Sequence, residues 1–408
     1  MNDFVLGTNK NGERICLSTQ NRLYGTLVVG HAGSGKTHGI MKPMLKQDIE
    51  NKNIGVTVFD LEKDLTPLVY VTAKSKRRNM IYFSPLNYNV YFNPFKGRED
   101  SVIHSFITVF KFSNKELSQY CSDLSEELIK NTIKVLKRVK EEKFSLSDVV
   151  DFLHNFGGQG KKILEDFEMK DIMNERSETF IIYKFFMEYF EEKELYKNTL
   201  NVRTFFRSLA YNDDLSYLFL PKEDCVELDF KKHIKDKDVV IINFDYSTFT
   251  EVGEMFLNLL FIRYSSAVLE EENSNLNSLY VDNLMKLYPV YTDLLKRGRK
   301  QNIIVNFSVQ TILENDYLKV LPNIRNIIIL PFLNSYELEF WEKYLADKSL
   351  SDYMINKKLG EFIYNLSDND SILGCKRGIG TYIPLTEEEL QFIEKRMKRY
   401  NKQLSKGV

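Results

Sequence analysis

Residues 26–37 read Thr-Leu-Val-Val-Gly-His-Ala-Gly-Ser-Gly-Lys-Thr, and this stretch decides the fold. Its first part, Leu27–Val29, is a short apolar run of the kind found in buried parallel strands. The rest matches the pattern Gly-x-x-x-x-Gly-Lys-Thr. Its glycines let the backbone wrap around a phosphate, and the N-terminal N–H groups of the next helix point at the oxygens. We therefore expect a phosphate-binding loop between a strand and a helix over residues 36–49.

This loop, the P-loop, predicts the ligands as well as the fold. Lys36 is expected to reach the β- and γ-phosphates of a nucleoside triphosphate, and Thr37 to place its hydroxyl on Mg²⁺. The expected ligands are therefore ATP and Mg²⁺. The expected nucleotide-binding residues are Gly30, His31, Ala32, Gly33, Ser34, Gly35, Lys36 and Thr37.

A second Mg²⁺ ligand is expected at the end of a later strand. Asp282 follows Leu279–Val281, and a carboxylate at a strand tip beside the P-loop strand holds Mg²⁺ through water. The next residue is Asn283, where many P-loop ATPases have a glutamate that polarises the attacking water. An asparagine orients a water but does not take its proton. Three alternatives stay open: slow hydrolysis, help from another carboxylate, or ATP binding without rapid turnover.

Apolar runs at strand length lie on both sides of a long segment with helical spacing, which predicts an α/β fold. We expect a mainly parallel sheet that contains the P-loop strand, with a helical insertion between its two parts. Strands are expected at 54–60, 80–83, 239–244, 278–282, 302–307 and 326–330, with closing antiparallel strands between 360 and 384. Helices are expected at 251–270 and 283–299, and an exposed one at 387–402. The predicted domains are core residues 1–100, the helical insertion 101–235, core residues 236–385 and a C-terminal helix and tail, 386–408.

Composition narrows the class of protein. A chain of 408 residues with 43% apolar residues can bury a sizeable core, and its net charge of −1 does not mark it as a polyanion binder. The four cysteines are far apart and the five histidines lack metal-ligand spacing, which favours a reducing compartment over a disulfide or zinc framework. The N-terminus lacks the features of a signal peptide, and the apolar stretches fall short of the ~20 residues that a membrane span needs. We expect no transmembrane segment.

Several motifs together resemble the HerA/FtsK-type motor ATPases, and most closely the conjugative coupling proteins of type IV secretion, the TraG/TraD group. Beside the P-loop, Phe59–Leu65 resembles the "DPKGEL" motif of the family, and Tyr91–Phe95 resembles its "NP" turn. The family also shows an acidic pair, a helix that ends in a "GRK" turn and a strand that ends in glutamine. Here Asp282-Asn283, Gly298-Arg299-Lys300 and Gln310 occupy those positions.

The resemblance implies an α/β fold with a RecA-like P-loop NTPase core and a mainly parallel sheet, plus an inserted all-α domain. It also implies roles for single residues. Arg299 would be an arginine finger that reaches the γ-phosphate of a neighbouring subunit in a ring, usually a hexamer. Gln310 would be a sensor of the nucleotide, and Asp64 a second carboxylate near the water. The implied catalytic residues are Lys36, Asp282, Asn283, Arg299, Gln310 and Asp64, with Thr37 and Asp282 on the metal.

The resemblance also implies partners and a location. The partners would be further copies of the chain in a hexameric ring, DNA, a relaxase and the proteins of a membrane secretion channel. The chain would be cytoplasmic, or peripheral at the inner face of the cell membrane. The basic run Lys74, Lys76, Arg77 and Arg78 is a candidate for phosphate contacts with DNA, or simply a solvated loop.

Three functions are consistent with the sequence. The first is a ring ATPase that moves or recruits DNA in conjugative transfer. The second is a related DNA motor of a phage, plasmid or defence system. The third is a scaffold that binds ATP to assemble a complex and hydrolyses it poorly, which Asn283 favours.

Overall fold

The computed structural model describes residues 4–85, 87, 89–170, 177–213, 215–220, 224–244, 246–270, 275–283, 288–312, 317–331, 334–354, 358, 360–367 and 375–404. The start of the predicted 283–299 helix, at 284–287, lies outside these residues. So do residues 368–374 of the closing strands and residues 405–408 of the tail.

The chain divides into two compact units. The core unit comprises Met1–Asn87, Asp229–Asp245 and Ala267–Val408, and the helical unit comprises Tyr88–Leu228 and Tyr246–Ser266. The first segment of the helical unit, Tyr88–Leu228, starts and ends earlier than the predicted insertion 101–235. The second segment, Tyr246–Ser266, contains most of the predicted helix 251–270. That helix is apolar on most faces, and such a helix is usually buried on all sides.

The first part of the core unit alternates strands and helices. Its elements are β1 (Phe4–Thr8), β2 (Arg14–Leu17), α1 (Thr19–Arg22), β3 (Thr26–Val29), α2 (Lys42–Glu50), β4 (Ile54–Asp60), α3 (Thr66–Ser75) and β5 (Met80–Phe83). The expected helix after the P-loop begins as a wider π-helical turn, Lys36–Met41, before α2. The N–H of Lys42 donates to the carbonyl of Thr37, five residues back, which is the hydrogen-bond pattern of a π-helix.

The helical unit consists mainly of helices packed around an aromatic core. Its elements are β6 (Val90–Tyr91), α4 (Glu99–Ser113), α5 (Gln119–Lys140), α6 (Leu146–His154), α7 (Gln159–Met169), α8 (Glu178–Glu191), α9 (Lys193–Asn198), α10 (Leu200–Ala210) and β7 (Val226–Glu227). Phe106, Phe152 and Phe186 are fully buried and contact other aromatic rings.

The second part of the chain returns to the sheet. Its elements are α11 (Phe230–Asp236), β8 (Val239–Asn243), α12 (Tyr246–Glu270), β9 (Leu276–Asp282), α13 (Tyr288–Arg297), β10 (Ile303–Val309), β11 (Asn326–Ile329), α14 (Ser335–Tyr344), α15 (Leu350–Met354), β12 (Glu361–Asn365), β13 (Lys376–Gly380) and α16 (Glu387–Leu404). In α12, Glu251–Glu270 is long and apolar enough to span a membrane by composition alone, but 61% of its span window is buried inside the protein. Burial of this kind is typical of a core helix.

The sheet has the order β2-β1-β13-β12-β11-β3-β10-β9-β4-β8-β5. Neighbours from β11 to β5 pair in parallel, and those from β11 to β2 pair antiparallel. This confirms the predicted RecA-like core with a mainly parallel sheet. Strands β1 and β2 were not predicted; they are short, and they add the antiparallel edge.

One expectation about neighbours was wrong. The strand that ends in Asp282 does not lie beside the P-loop strand, because β10 is inserted between β3 and β9. The C-terminal helix is mostly exposed between residues 387 and 395, as expected. Within that range the ring of Phe392 stacks on Tyr70 of α3 at 4.4 Å between centroids.

Candidate nucleotide-binding site

The P-loop has a backbone that depends on glycine at particular positions. Gly33 and Gly35 have φ of 78° and 95°, a left-handed conformation that side chains with a Cβ disfavour. A Cβ on Gly30 would lie 2.6 Å from the hydroxyl oxygen of Ser34. The N–H of Gly30 donates to the carbonyl of Val309, which attaches the loop to the end of β10.

Lys36 lies inside this loop as a partly buried cation. Its Nζ donates to the carbonyl oxygens of Gly30 at 2.5 Å and His31 at 3.2 Å. Burial lowers the pKa of Lys36, and the charges of Asp282 and Glu62 act in the opposite direction. An anionic phosphate within reach of Nζ would remove this penalty.

A second feature of the loop also fits a phosphate. The hydroxyl of Ser34 is fully buried and has no hydrogen-bond partner among the described residues. Such orphaned polar atoms are uncommon and call for an explanation. This hydroxyl is suited to donate to a phosphate oxygen.

Thr37, Asp282 and Ser308 form one hydrogen-bonded group at the carboxyl edge of the sheet. The hydroxyl of Thr37 donates to one carboxylate oxygen of Asp282 at 3.1 Å, and the hydroxyl of Ser308 donates to the other at 2.5 Å. Burial raises the pKa of Asp282 to about 6, and the nearby charges of Asp60 and Glu62 add to this effect. No sequence pattern singles out Ser308, a polar residue in an otherwise apolar strand end.

These oxygens are suited to Mg²⁺. Mg²⁺ is usually held by one or two carboxylates together with phosphates and water, rather than by a protein cage. Asp282 offers a carboxylate and Thr37 a hydroxyl, so both present oxygen atoms of the kind that Mg²⁺ binds. A bound cation would also favour the ionised form of the buried carboxyl of Asp282.

Asn283 connects this group to a carboxylate that the sequence did not indicate. Its φ of 67° is left-handed, a conformation that asparagine tolerates better than most residues. Its N–H donates to the hydroxyl of Ser308 at 3.1 Å, and its side-chain amide donates to the carboxylate of Glu62 at 2.7 Å. The sequence separation between Asn283 and Glu62 hid this contact.

The two acidic positions of the 60–65 turn have different environments. Asp60 is in register with Asp282 on the neighbouring strand and is fully buried. One of its oxygens accepts from the N–H and hydroxyl of Thr66, at 2.7 and 2.5 Å, and burial raises its pKa. Asp64 is exposed and has no hydrogen bond within the described part of the chain; its charge acts on Asp60 and Lys42.

Gln310 and Arg299 lie at opposite ends of β10. Gln310 directly follows β10 at the edge of the P-loop and is exposed. Arg299 lies in the 3₁₀ turn Gly298–Gln301 that precedes β10, also exposed, with its guanidinium 4.9 Å from the ring centroid of Tyr24. The structure therefore brings Gln310, but not Arg299, to the edge of the sheet that carries the P-loop of the same chain.

Two further contacts of the P-loop and its helix were not foreseen. The ring of His31 lies 2.8 Å from the buried carboxylate of Glu337, which belongs to the capping box at the start of α14. The ring of His38 stacks on the exposed ring of Tyr382, with centroids 5.6 Å apart. Neither contact has a sequence signal, because both partners lie far along the chain.

In the basic run 74–78, Arg78 has a structural role. The guanidinium of Arg78 donates to the backbone carbonyls of Ile49, Ile54 and Lys237, so it is not available to DNA in this conformation. Lys76 pairs with Glu50 at 3.3 Å. Lys74 and Arg77 are exposed.

Comparison with known proteins identifies the fold. The sequence matches no protein-family model and no curated protein. Among solved structures, the plasmid coupling protein TrwB in complex with ADP and Mg²⁺ is similar with a TM-score of 0.66 and 13% identity, over 94% of this chain and 91% of that chain. The unbound bacterial conjugative coupling protein TrwB is similar with a TM-score of 0.65 and 11% identity, over 95% of this chain and 91% of that chain.

A second kind of protein shows the same similarity. VirB4 of Thermoanaerobacter pseudethanolicus has a TM-score of 0.60 and 15% identity, over 95% of this chain and 98% of that chain. The likeness to coupling proteins that the motifs indicated is therefore confirmed at the level of the fold. The chain has the RecA-like P-loop fold of TrwB and VirB4 over almost its full length.

Proposed function

We propose that the protein is a Mg²⁺-dependent ATPase. The observation that carries this proposal is the group formed by Lys36, Thr37 and Asp282, which holds a cation, a hydroxyl and a carboxylate at one end of a glycine-rich loop. Lys36 and the loop N–H groups bind the phosphates, while Thr37 and Asp282 hold Mg²⁺. When bound, Mg²⁺ neutralises the charge that develops on the transferred phosphoryl group.

The ATPase works as a ring of identical subunits. Support for this comes from Arg299, which lies at the amino end of the seven-residue strand β10, whereas the P-loop lies at the carboxyl end of the sheet. At ~3.3 Å per residue, such a strand separates the two by about 20 Å. An exposed arginine so far from its own P-loop is suited to a neighbour's γ-phosphate, where it stabilises the charge of the transition state. Gln310, beside the P-loop, is suited to sense the nucleotide.

The ring moves or recruits DNA in conjugative transfer. The fold is shared with TrwB, which is described as a conjugative and plasmid coupling protein. The expected partners are DNA, a relaxase and a membrane secretion channel, with the chain in the cytoplasm or at the inner face of the membrane. A related motor of a phage, plasmid or defence system has the same site chemistry and differs in its partners.

The scaffold function remains the second candidate because of Asn283. The discriminating experiment measures ATP hydrolysis by the wild type and by Asn283→Glu, with and without single- and double-stranded DNA. We expect low basal turnover of the wild type that DNA raises. If the wild type binds ATP without turnover under every condition while Asn283→Glu gains turnover, the scaffold function is correct.

A further inference from the structure

Many P-loop ATPases have a glutamate where this chain has Asn283, and an asparagine does not accept a proton from water. A carboxylate from another part of the chain nevertheless lies beside Asn283. The side-chain amide of Asn283 donates to Oε1 of Glu62 at 2.7 Å. Glu62 belongs to the turn after β4, and the last residue of β4, Asp60, pairs with Asp282 at the end of β9. Asn283 and Glu62 therefore come from the segments that follow two neighbouring strands.

A chain of hydrogen bonds fixes this pair relative to the metal ligand. Glu62 accepts from the Asn283 side chain, the Asn283 N–H donates to the Ser308 hydroxyl, and that hydroxyl donates to Asp282. Glu62 is also close enough for its charge to act on both Lys36 and Asp282. The carboxylate is thus placed near the cation that binds phosphate and the carboxylate that holds Mg²⁺.

The backbone on both sides of the contact has an uncommon conformation. Asn283 has φ of 67°, and Lys63, directly after Glu62, has φ of 68°. Non-glycine residues rarely hold such angles unless the surrounding structure enforces them, and they cluster at functional sites. Asparagine is among the residues best suited to position 283, whereas a glutamate there would have to adopt the same left-handed backbone.

The other acidic residues near the site are less suited to accept a proton from water. Asp282 is buried and its two oxygens are engaged by Thr37 and Ser308. Asp60 is fully buried behind Thr66. Asp64, the residue that the family resemblance implies, is exposed but has no hydrogen bond to this group within the described residues. Glu62 is both exposed to water and held in place.

We propose that Glu62 is the general base of ATP hydrolysis and that Asn283 is its positioning residue. This inference rests on the proposed ATPase function. Glu62 takes a proton from a water molecule while the water oxygen bonds to the γ-phosphorus. The bond from that phosphorus to the β–γ bridging oxygen breaks, and its electron pair leaves with ADP. The products are ADP and inorganic phosphate, and Glu62 then returns the proton to solvent.

The test compares Glu62→Gln with its matched control Glu13→Gln, since each change replaces one exposed glutamate by its uncharged amide at nearly constant size. ATP affinity is measured by calorimetry with Mg²⁺, and kcat and KM by steady-state hydrolysis with double-stranded DNA present. We expect Glu62→Gln to lower kcat by about 100-fold or more, as loss of a general base does, with little change in ATP affinity. Glu13→Gln is expected to keep the turnover of the wild type, because Glu13 lies between β1 and β2, outside the site.

A third variant tests the positioning role of Asn283. Asn283→Ala is expected to lower kcat by about tenfold while ATP affinity and KM stay near wild type, since general-base efficiency depends on geometry. Loss of kcat and ATP affinity together would instead indicate a structural role and contradict the positioning role.

Three results would overturn the proposal. The first is wild-type turnover in Glu62→Gln, and the second is a loss of ATP affinity in that variant as large as its loss of kcat. The third is a wild type that binds ATP but never hydrolyses it. This last result refutes the proposed function itself, and it is recognisable because it appears before any variant is made.

Discussion

At the scale of single residues, the buried carboxyl of Asp60 makes the stability of the protein depend on pH. Asp60 is fully buried, and one of its oxygens has no hydrogen-bond partner among the described residues. Burial raises its pKa above the ordinary value of 3.8. The folded protein therefore binds this proton more tightly than the unfolded chain does. The stability that this provides is complete below the ordinary pKa and is lost as the pH rises through the raised pKa.

Asp60→Asn should remove this dependence. The amide oxygen can still accept from Thr66, and a neutral amide is less costly to bury than a carboxylate. We expect the free energy of unfolding of the variant, relative to wild type, to increase as the pH rises from about 4 and then to level off. Urea denaturation of the nucleotide-free protein at several pH values measures this difference. Asp64→Asn is the exposed control, and parallel curves for wild type and Asp60→Asn would contradict the explanation.

At the scale of elements, a buried ionic group joins three segments that carry the site. The guanidinium of Arg22, at the end of α1, donates to both oxygens of Asp48 in α2, at 2.8 and 2.5 Å. The hydroxyl of Tyr280 in β9 also donates to Asp48, at 2.6 Å. Since α2 follows the P-loop and β9 ends in Asp282, this group fixes the phosphate-binding and metal-binding elements to one another.

Loss of one partner of the Arg22–Asp48 pair should therefore lower the free energy of unfolding. Asp48→Ala leaves Arg22 buried without its counter-charge, and such changes destabilise proteins by about 3–5 kcal/mol. The apolar double variant Arg22→Met with Asp48→Leu should lose less, because no unpaired charge remains buried. Chemical denaturation of both variants measures the two costs. A double variant at least as unstable as Asp48→Ala would show that the ion pair itself, rather than an unpaired charge, dominates.

The positions of the elements could be predicted from the sequence, but their order in the sheet and their distant contacts could not. The P-loop and the apolar strand runs have local patterns, so their positions in the sequence were predictable. The order of the strands was not, because the pairing of β10 between β3 and β9 depends on packing of the whole sheet. The Glu62–Asn283 contact joins residues 221 positions apart, and no local pattern indicates such a pair.

At the scale of the whole molecule, a test of Arg299 distinguishes a protein that works as a ring from one that works as an independent subunit. The exposed guanidinium lies at the sheet edge away from its own P-loop. We expect Arg299→Ala to bind ATP as wild type does but to lose about 1000-fold in turnover, since a trans arginine contributes mainly to the transition state. The exposed neighbour Lys300→Ala is the control. ATP affinity, hydrolysis rate and oligomer size with ATP are the measurements, and a wild-type chain that hydrolyses ATP as a monomer would contradict this role.

The most direct test of the central claim is ATP binding and hydrolysis by the wild type and by Lys36→Ala in the presence of Mg²⁺. Removal of Lys36 loses a charge-assisted bond to phosphate, commonly worth ~1.5–3 kcal/mol, so ATP affinity should fall by about 10- to 150-fold. Hydrolysis should be abolished. Unchanged ATP affinity in Lys36→Ala would contradict the assignment of Gly30–Thr37 as the nucleotide site.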